Sequence, residues 1–404
     1  MARPVQKFAA ALAIASVLFL AFPAPATADA QAVAHLSLVE GALSVRHANA
    51  TLNTPVFAGD EITTSAARGE LQLDEATFVR LAPNTSVTVV DLSAGKRALR
   101  LEVGTIELRI IADPPDAQIL TPAATLVAET AGAYRISLSG GEASIAVRAG
   151  RASIPLASGG ELTLLEGMHF GKAQAPDDFD GWNDARDVAL KQSLSDYHVS
   201  PILAANALNG FGRWMNYQSY GLAWLPYQTP GWAPYTLGSW MQTADFGPAW
   251  VSSEPWGWAP YHYGRWIYDQ SYGWLWIPGD AVAWAPALVG FLALLVPNPW
   301  GLSPFGQYIG WVPLAPGEIA PIGLVTNSGY INVGRLYNRP NINFAATPHL
   351  RFVQSSVVGA PAHYAPPVHM TSPVAAGGVH AAPVVAPVVH VEPARATVTT
   401  SARR

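Results

Sequence analysis

The 404-residue sequence contains no cysteine, and only 13% of its residues are charged. The absence of cysteine excludes a disulfide framework, a lipidated N-terminal cysteine and a cysteine nucleophile. The formal net charge is −5, without any long run of basic residues. A mildly acidic chain of this kind argues against nucleic acid as a partner.

The common catalytic signatures are absent too. The sequence has no His-Glu-x-x-His, no Gly-x-Ser-x-Gly and no glycine-rich phosphate loop. Three carboxylates in the second half, Glu254, Asp269 and Asp280, do not keep a common spacing, and we interpret them as solvated loop residues. We therefore expect no enzyme activity, no catalytic residues and no cofactor.

Long hydrophobic runs are equally scarce. Basic residues precede an apolar stretch over 8–22, and the small residues around 26–30 fit a cleavage site. This pattern predicts a signal peptide over 1–30, because a membrane span needs about 20 apolar residues. We expect an exported protein, periplasmic or secreted, with no transmembrane segment after cleavage.

Glycine and proline, by contrast, are abundant, with 35 and 34 residues. From 32 to 172 they punctuate short segments in which apolar and polar residues alternate, such as 70–73, 86–89 and 134–138. Alternation with a period of two is typical of half-buried strands. The pattern predicts an all-β domain over 32–172, either a sandwich or a short solenoid.

Several short motifs follow one another in this region in a fixed order. They are Gly41–Val45, Ala58–Thr64, Val79–Val87, Leu101–Ile106 and Gly132–Ile136. Over roughly 35–150 they resemble the FecR domain, the periplasmic part of ferric-citrate-type signalling regulators. The resemblance implies a β-fold. Such regulators join a cytoplasmic anti-sigma segment to this domain through a transmembrane helix, whereas this sequence has a predicted signal peptide there, so the resemblance does not extend to sigma-factor regulation.

The stretch 177–197 has apolar residues near helical spacing and predicts a short connecting helix, with its helical part over 181–195. Its acidic start includes Asp178 and Asp180. A calcium loop would require a closing glutamate where Ala189 stands, so we interpret these acids as a solvated helix start.

The strongest pattern is a repeat with a period of 26 residues. Gly212-Arg213-Trp214 recurs as Gly238-Ser239-Trp240 and as Gly264-Arg265-Trp266. An aromatic–glycine pair, a second tryptophan and a Trp-Ala-Pro-like motif recur in the same phase. They are Tyr220-Gly221, Phe246-Gly247 and Tyr272-Gly273; Trp224, Trp250 and Trp276; and Trp232, Trp258 and Trp284, with Trp311 in a fourth copy 27 residues later.

The pattern within each 26-residue unit predicts a β-hairpin, in which the aromatic–glycine pair forms the turn. Units of this size bury their apolar faces by stacking on one another. We therefore predict a tryptophan-rich β-hairpin repeat domain over 207–345, with the ten in-phase tryptophans in its core. Together with Asp178–Arg186 and Gly310–Glu318, the repeat resembles a tryptophan-rich repeat domain of unknown function that often follows a FecR domain in exported bacterial proteins, over roughly 177–340.

Some aromatic residues fall outside the repeat consensus, and we predict that they face solvent or a ligand. They are Trp256, Trp274, Tyr217, Tyr227 and Tyr268. Aromatic faces stack on sugar rings and on other flat apolar surfaces. For His262, next to two tyrosines, we expect a hydrogen bond within a hairpin.

From 355 to 404 the chain consists largely of proline, alanine, valine and histidine, and repeated X-Pro predicts a disordered tail. Five of the ten histidines lie in the last 56 residues at spacings that match no closed metal site. We predict no specific metal site.

These features favour a non-enzymatic exported protein that binds or scaffolds in the cell envelope, recognising envelope glycan or another envelope protein. The alternative is a periplasmic signalling component related to FecR-type regulators, which would contact a membrane receptor or regulator. An envelope hydrolase has the least support, because no catalytic constellation is present.

Overall fold

The computed structural model describes residues 33–93, 95–113, 116–194, 208, 210–279, 284–294, 297–298, 301–302, 308–317 and 352–354. The predicted signal peptide over 1–30 and the tail over 355–404 lie outside these residues. So do Asp280, the segment 195–197 and the part of the predicted repeat domain from 318 to 345.

The first part of the chain is made of mostly short and mostly antiparallel strands. They are β1 (Ala34–Glu40), β2 (Leu43–Val45), β3 (Ala48–Ala50), β4 (Pro55–Val56), β5 (Glu61–Thr64), β6 (Arg68–Gln72), β7 (Thr77–Leu81), β8 (Ser86–Asp91), β9 (Arg97–Ile110), β10 (Ala117–Leu120), β11 (Thr125–Ala128), β12 (Gly132–Ser139), β13 (Glu142–Ala149), β14 (Arg151–Pro155), β15 (Glu161–Leu165) and β16 (His169–Phe170). The predicted all-β domain is confirmed.

The long strand β9 connects two sheets. Its first half pairs with β8 and, in parallel, with β10, and its second half pairs with β7 and β12. The change of partners occurs at Gly104, whose φ is +98°. A side chain there would be strained in this conformation and would also lie 2.6 Å from the Cα of Thr85, so glycine is required at this bend.

Both sheets contribute to a single hydrophobic core. Leu36, Leu108 and Ile136 come from one sheet and Leu99 and Ile119 from the other, and all are fully buried in the same cluster. Two sheets that enclose one core form a sandwich, the first of the two predicted alternatives.

The outer face of one sheet carries a row of alternating charges. Glu70, Arg80, Glu107 and Arg135 lie on β6, β7, β9 and β12 and are direct cross-strand neighbours. All four are buried. Opposite charges at directly paired positions attract each other, so this charge row fixes the register of four strands.

A helix, α1 (Asp178–Leu194), covers the charge row. Asp187 pairs with Arg80 at 2.7 Å and with Arg109 at 3.0 Å, and Asp180 pairs with Arg135. The predicted helix is confirmed, but the interpretation of its acidic residues as solvated is wrong for Asp180, which is buried against an arginine, whereas Asp178 is exposed. A buried arginine needs a carboxylate partner, and the helix supplies it.

The second part of the chain consists mainly of hairpins. The first hairpin is β17 (Gly212–Tyr217) with β18 (Gly221–Pro226), joined by the 3₁₀ turn Gln218–Tyr220. The second is β19 (Gly238–Thr243) with β20 (Gly247–Ser252), followed by the short helix α2 (Trp258–His262), and the third is β21 (Arg265–Asp269) with β22 (Gly273–Ile277). Further strands are β23 (Val289–Leu294), β24 (Pro297–Asn298), β25 (Gly301–Leu302), β26 (Tyr308–Pro313) and β27 (Phe352–Gln354).

The three hairpins use the repeat landmarks in the same way. Their tryptophans face each other across the strands as Trp214↔Trp224, Trp240↔Trp250 and Trp266↔Trp276. The turn glycines all have positive φ, as the aromatic–glycine pairs predict; they are Gly221, Gly247 and Gly273.

The first glycine of each unit has a steric reason. A Cβ atom on Gly212, Gly238 or Gly264 would lie 2.5, 2.7 or 2.6 Å from the ring of the second tryptophan, respectively Trp224, Trp250 and Trp276. Residues two apart point to the same face of a strand, so this glycine leaves space for the partner ring.

The hairpins do not stack in chain order, so the prediction that each unit covers the next is wrong. The first and third hairpins form one four-stranded sheet in the order β17-β18-β22-β21, through a Trp224↔Trp276 pair. The result is a tryptophan row, Trp214-Trp224-Trp276-Trp266, across four strands. The second hairpin forms a separate sheet and packs on Trp311, whose ring lies 5.2 Å from that of Trp240.

The tryptophans fill the core of this domain, as predicted. Trp224, Trp250, Trp266 and Trp276 are fully buried, Trp240 and Trp258 are nearly so, and the other in-phase tryptophans pack against the same cluster; these are Trp214, Trp232, Trp284 and Trp311.

The same cluster extends into the first domain. Val33 and Phe57 belong to it, and the Phe57 ring lies 5.5 Å from that of Phe246. Asn53, which has a φ of +63°, donates from its buried side-chain amide to the carbonyl oxygens of Ser252 and Glu254. The two domains therefore meet in a shared apolar core, separate from the core inside the sandwich, and in a polar contact.

Replacing Trp276 by alanine should lower the free energy of unfolding by roughly 3–5 kcal/mol, because a large core aromatic is lost. Trp256→Ala should cost a similar amount, since Trp256 is buried. Tyr227→Ala is the matched control, because Tyr227 is 70% exposed. Urea unfolding followed by circular dichroism measures the difference, and equal midpoints for Trp276→Ala and Tyr227→Ala would contradict the assignment.

Candidate functional site

An open cleft of about 610 Å³ lies between the segment that follows the first hairpin and the third hairpin. Its walls carry five aromatic side chains, and we call it the aromatic cleft; they are Tyr227, Trp232, Tyr268, Tyr272 and Trp274. Cavities of several hundred cubic ångströms with aromatic walls are typical of binding sites for small molecules or short chain segments.

Gln228 positions the two sides of the cleft. Its side-chain amide donates to the carbonyl oxygen of Trp274 at 2.7 Å, beyond the single Trp224↔Trp276 bridge between β18 and β22. The glutamine therefore continues the contact between the two hairpins where the strands diverge. The following segment turns, with the backbone N–H of Trp232 donating to the carbonyl oxygen of Thr229 at 3.1 Å, and Trp232 also lines the cleft.

The described residues that line the aromatic cleft include no charged side chain. Tyr227 and Tyr272 are 70% and 45% exposed, while Trp232 and Tyr268 are half-buried. Rings held at the surface by backbone and neighbouring rings lose little freedom when they bind. The cleft is suited to an uncharged ligand with flat apolar faces.

The structure brings three of the five predicted ligand-binding residues together. Tyr227, Tyr268 and Trp274 line the aromatic cleft. Trp256 and Tyr217 do not. Trp232 and Tyr272 are not among the predicted ligand-binding residues, because both are landmarks of the repeat, for which the sequence predicts structural roles.

The predicted exposure is wrong for three of these residues. Trp256 is buried and packs edge-on against Trp224 at 5.0 Å and stacked on Tyr261 at 5.6 Å. Tyr217 is buried and donates its hydroxyl to Asp269 at 2.8 Å. Trp274 is 3% exposed, because it lies inside the sheet opposite Tyr268. Positions outside the repeat consensus thus also fill the core.

Glu254 is not a solvated loop residue, so that interpretation is wrong. Its buried carboxylate accepts from Nε1 of Trp232 at 2.9 Å and from the hydroxyl of Tyr261. Burial raises the pKa of Glu254 to about 7, although these hydrogen bonds oppose the rise. Asp269 is partly exposed and accepts from the backbone of its own turn. The two carboxylates have separate partners and do not form a catalytic pair.

Two buried histidines flank a tryptophan where the domains meet. The ring of His35, on β1, stacks on Trp258 at 4.0 Å, and the ring of His262 lies 4.5 Å from Trp258 and 5.3 Å from Trp284. Nδ1 of His262 is 2.7 Å from the carbonyl oxygen of Ala285, so the expected hydrogen bond is present, although it joins α2 to the next segment rather than two strands of a hairpin.

Burial keeps both histidines neutral. Burial lowers the pKa of His262 to about 4, against the effect of its backbone acceptors. Burial and then the charge of His262 lower the pKa of His35 well below its ordinary value. Acid therefore places charge within the shared core.

Among the described residues, no three histidine or acidic side chains converge as metal ligands would. Within the same residues, no helix has the length and apolar character needed to cross a lipid bilayer.

Comparison with known families identifies two domains. Residues 60–153 match the FecR protein family, and residues 205–318 match the Family of unknown function (DUF6600). The first match lies within the sandwich and the second covers the hairpins and the aromatic cleft. The chain thus carries a FecR domain followed by a domain of that second family, as the sequence motifs predict. No curated protein matches the chain.

The histidines predict a pH-dependent stability. A histidine whose pKa is lowered on folding stabilises the fold above its unfolded pKa of about 6.5 and loses this effect as the pH falls through its folded pKa. His35→Phe keeps a ring on Trp258 but does not titrate. Between pH 6.5 and 4.5 the wild type should therefore lose about 1–3 kcal/mol more stability than His35→Phe.

Urea unfolding at half-unit pH steps measures this difference. The effect of Glu254 on stability has the opposite pH dependence, because its pKa is raised. Its contribution to the free energy of unfolding is present below about pH 4.5 and is lost as the pH rises through about 7. The wild type and His35→Phe both contain Glu254, so its contribution cancels when their stabilities are subtracted. Parallel stability curves for the two proteins would refute the role of His35.

Proposed function

We propose that this protein is a non-enzymatic regulatory component of the FecR type, which acts in the cell envelope by binding a partner protein. The observation that carries the proposal is the FecR domain over 60–153. The partner class that the family suggests is a membrane receptor or regulator. The predicted signal peptide supports a periplasmic or secreted location.

Binding, rather than catalysis, agrees with the chemistry of the described residues. In the domain formed by the hairpins, which we call the aromatic domain, the described carboxyl group with a strongly shifted pKa is Glu254. It is enclosed by Trp232 and Tyr261 and faces the core. A general acid needs access to a substrate proton. Glu254 instead satisfies two buried donors.

The edge of the sandwich offers a surface for a protein partner. Within the described residues β15 pairs only with β14, so one side of this strand has no strand neighbour. Leu162, Leu165 and Met168 on and beside it are 38%, 51% and 42% exposed. An open strand edge that carries exposed apolar side chains is a common protein contact.

Leu165→Glu in the chromosomal gene should reproduce the change in gene expression that a full deletion causes, because it places a charge on this edge. Val103→Glu is the matched control: Val103 is 49% exposed on β9, away from this edge. Genome-wide transcript levels of the three strains are compared. A deletion that leaves every receptor and sigma-factor system unchanged would refute the regulatory proposal, and a normal response in Leu165→Glu would refute this surface.

A second candidate function is binding of a neutral envelope glycan, and the aromatic cleft favours it. Tyrosine and tryptophan faces stack on the apolar faces of sugar rings, and the cleft presents exposed faces without charge. In this case the protein would be an envelope binding or scaffold protein whose FecR domain has a supporting role.

The purified protein should then be retained on insoluble peptidoglycan or on soluble neutral glycan in a pulldown. Tyr227→Ala should reduce retention by about tenfold, as expected for the loss of 1–2 kcal/mol of ring stacking. Tyr220→Ala, an exposed tyrosine outside the cleft, should retain wild-type binding. Absence of retention by the wild type would rule out the glycan function.

A further inference from the structure

The chemistry of the aromatic cleft fits another class of occupant, an extended proline-rich chain. Such segments adopt a polyproline II helix, whose proline rings lie flat on tyrosine and tryptophan faces. The helix is already ordered before binding, so little entropy is lost. An uncharged, aromatic, half-open cleft has the features that this recognition needs.

This chain contains such a segment. Between 355 and 391 the sequence has no Asp, Glu, Lys or Arg, and its prolines include Pro361, Pro366 and Pro367. Neither the segment nor the described lining of the cleft carries a charged side chain. Binding would therefore not remove water from an unpaired ion.

The segment also begins within the aromatic domain. The strand β27 ends at Gln354 and pairs with β26, whose Trp311 packs on the tryptophan core. Pro366 follows twelve residues later, and a chain of this length extends up to about 40 Å at roughly 3.3 Å per residue. A domain of about 100 residues has a radius of gyration near 13 Å. The segment is therefore long enough to reach much of the surface of its own domain.

We propose that residues 360–368 of this chain occupy its own aromatic cleft, with Pro366 and Pro367 against Tyr227 and Tyr272. A tethered segment has an effective concentration in the millimolar range, so even weak stacking keeps the cleft occupied. An external ligand of the cleft then has to displace the segment. This inference is independent of the proposed regulatory function, which rests on the FecR domain.

The absence of native cysteine allows a direct test in the full-length protein. Ser271, an exposed residue that lines the cleft, and Ala365 are both replaced by cysteine (Ser271→Cys, Ala365→Cys). The control pair is Ser239→Cys with Ala365→Cys, because Ser239 is an equally exposed serine of the same domain outside the cleft. Disulfide formation under mild oxidation is followed at several protein concentrations.

The cleft pair should close at least tenfold faster than the control pair, at a rate independent of protein concentration. Adding Pro366→Ala and Pro367→Ala to the cleft pair should lower its rate to that of the control pair. Equal rates for the two pairs would overturn the proposal, as would a rate that rises with concentration, which indicates the tail of a second copy. If cellohexaose binds the cleft while the cleft pair closes only at the control rate, the cleft is a sugar site instead.

Discussion

The structure depends on the burial of tryptophan. A tryptophan side chain buries on the order of 200 Å², and an isolated two-stranded hairpin cannot enclose one, because it has no second layer. The first and third hairpins solve this by joining edge to edge, which places Trp224 and Trp276 side by side inside the tryptophan row. The second hairpin covers its own pair with Trp311 and with the segment around Pro286, whose carbonyl oxygen accepts from the backbone of Trp250. The sandwich completes the enclosure with Val33, His35 and Phe57.

This shared core has a consequence for function. The rings of Phe57 and Phe246 contact each other directly, and so do those of His35 and Trp258. A ligand that binds one domain therefore binds a unit that is packed directly against the other domain. Asp60 holds Phe57 in place by accepting from its backbone N–H at 2.9 Å, and Arg46 pairs with Asp60 and approaches Met241. These residues of the sandwich therefore also form part of its interface with the hairpins.

The sequence predicts the units of this fold far better than their arrangement. The 26-residue spacing identifies the hairpins, their turns and the facing tryptophans, because each of these is a local property of one unit. It says nothing about which hairpins become neighbours, and chain order suggested stacking where the structure joins the first to the third. The charge row was hidden for a similar reason: Glu70, Arg80, Glu107 and Arg135 each stand alone in an alternating strand, and only the pairing of the strands brings them together. The predicted exposure of Trp256 and Trp274 is wrong, because a position outside the repeat consensus can still be buried.

The few charges of this chain are placed so that the aromatic cleft has none. The charge row is covered by α1. Arg186 on this helix and Arg80 within the row hold the pKa of Glu70 below its ordinary value despite burial. In the aromatic domain, Glu254 is enclosed by hydrogen-bond donors. Burial lowers the pKa of His262 in this domain and that of His35 on β1, so both are neutral near pH 7. Binding in the cleft must then come from ring stacking and shape, which respond little to salt. Among the described residues, Trp232 links the cleft to a group with a pKa near neutrality, because it lines the cleft and donates to Glu254 from Nε1. Any pH dependence of binding in the cleft therefore has to pass through the orientation of this tryptophan.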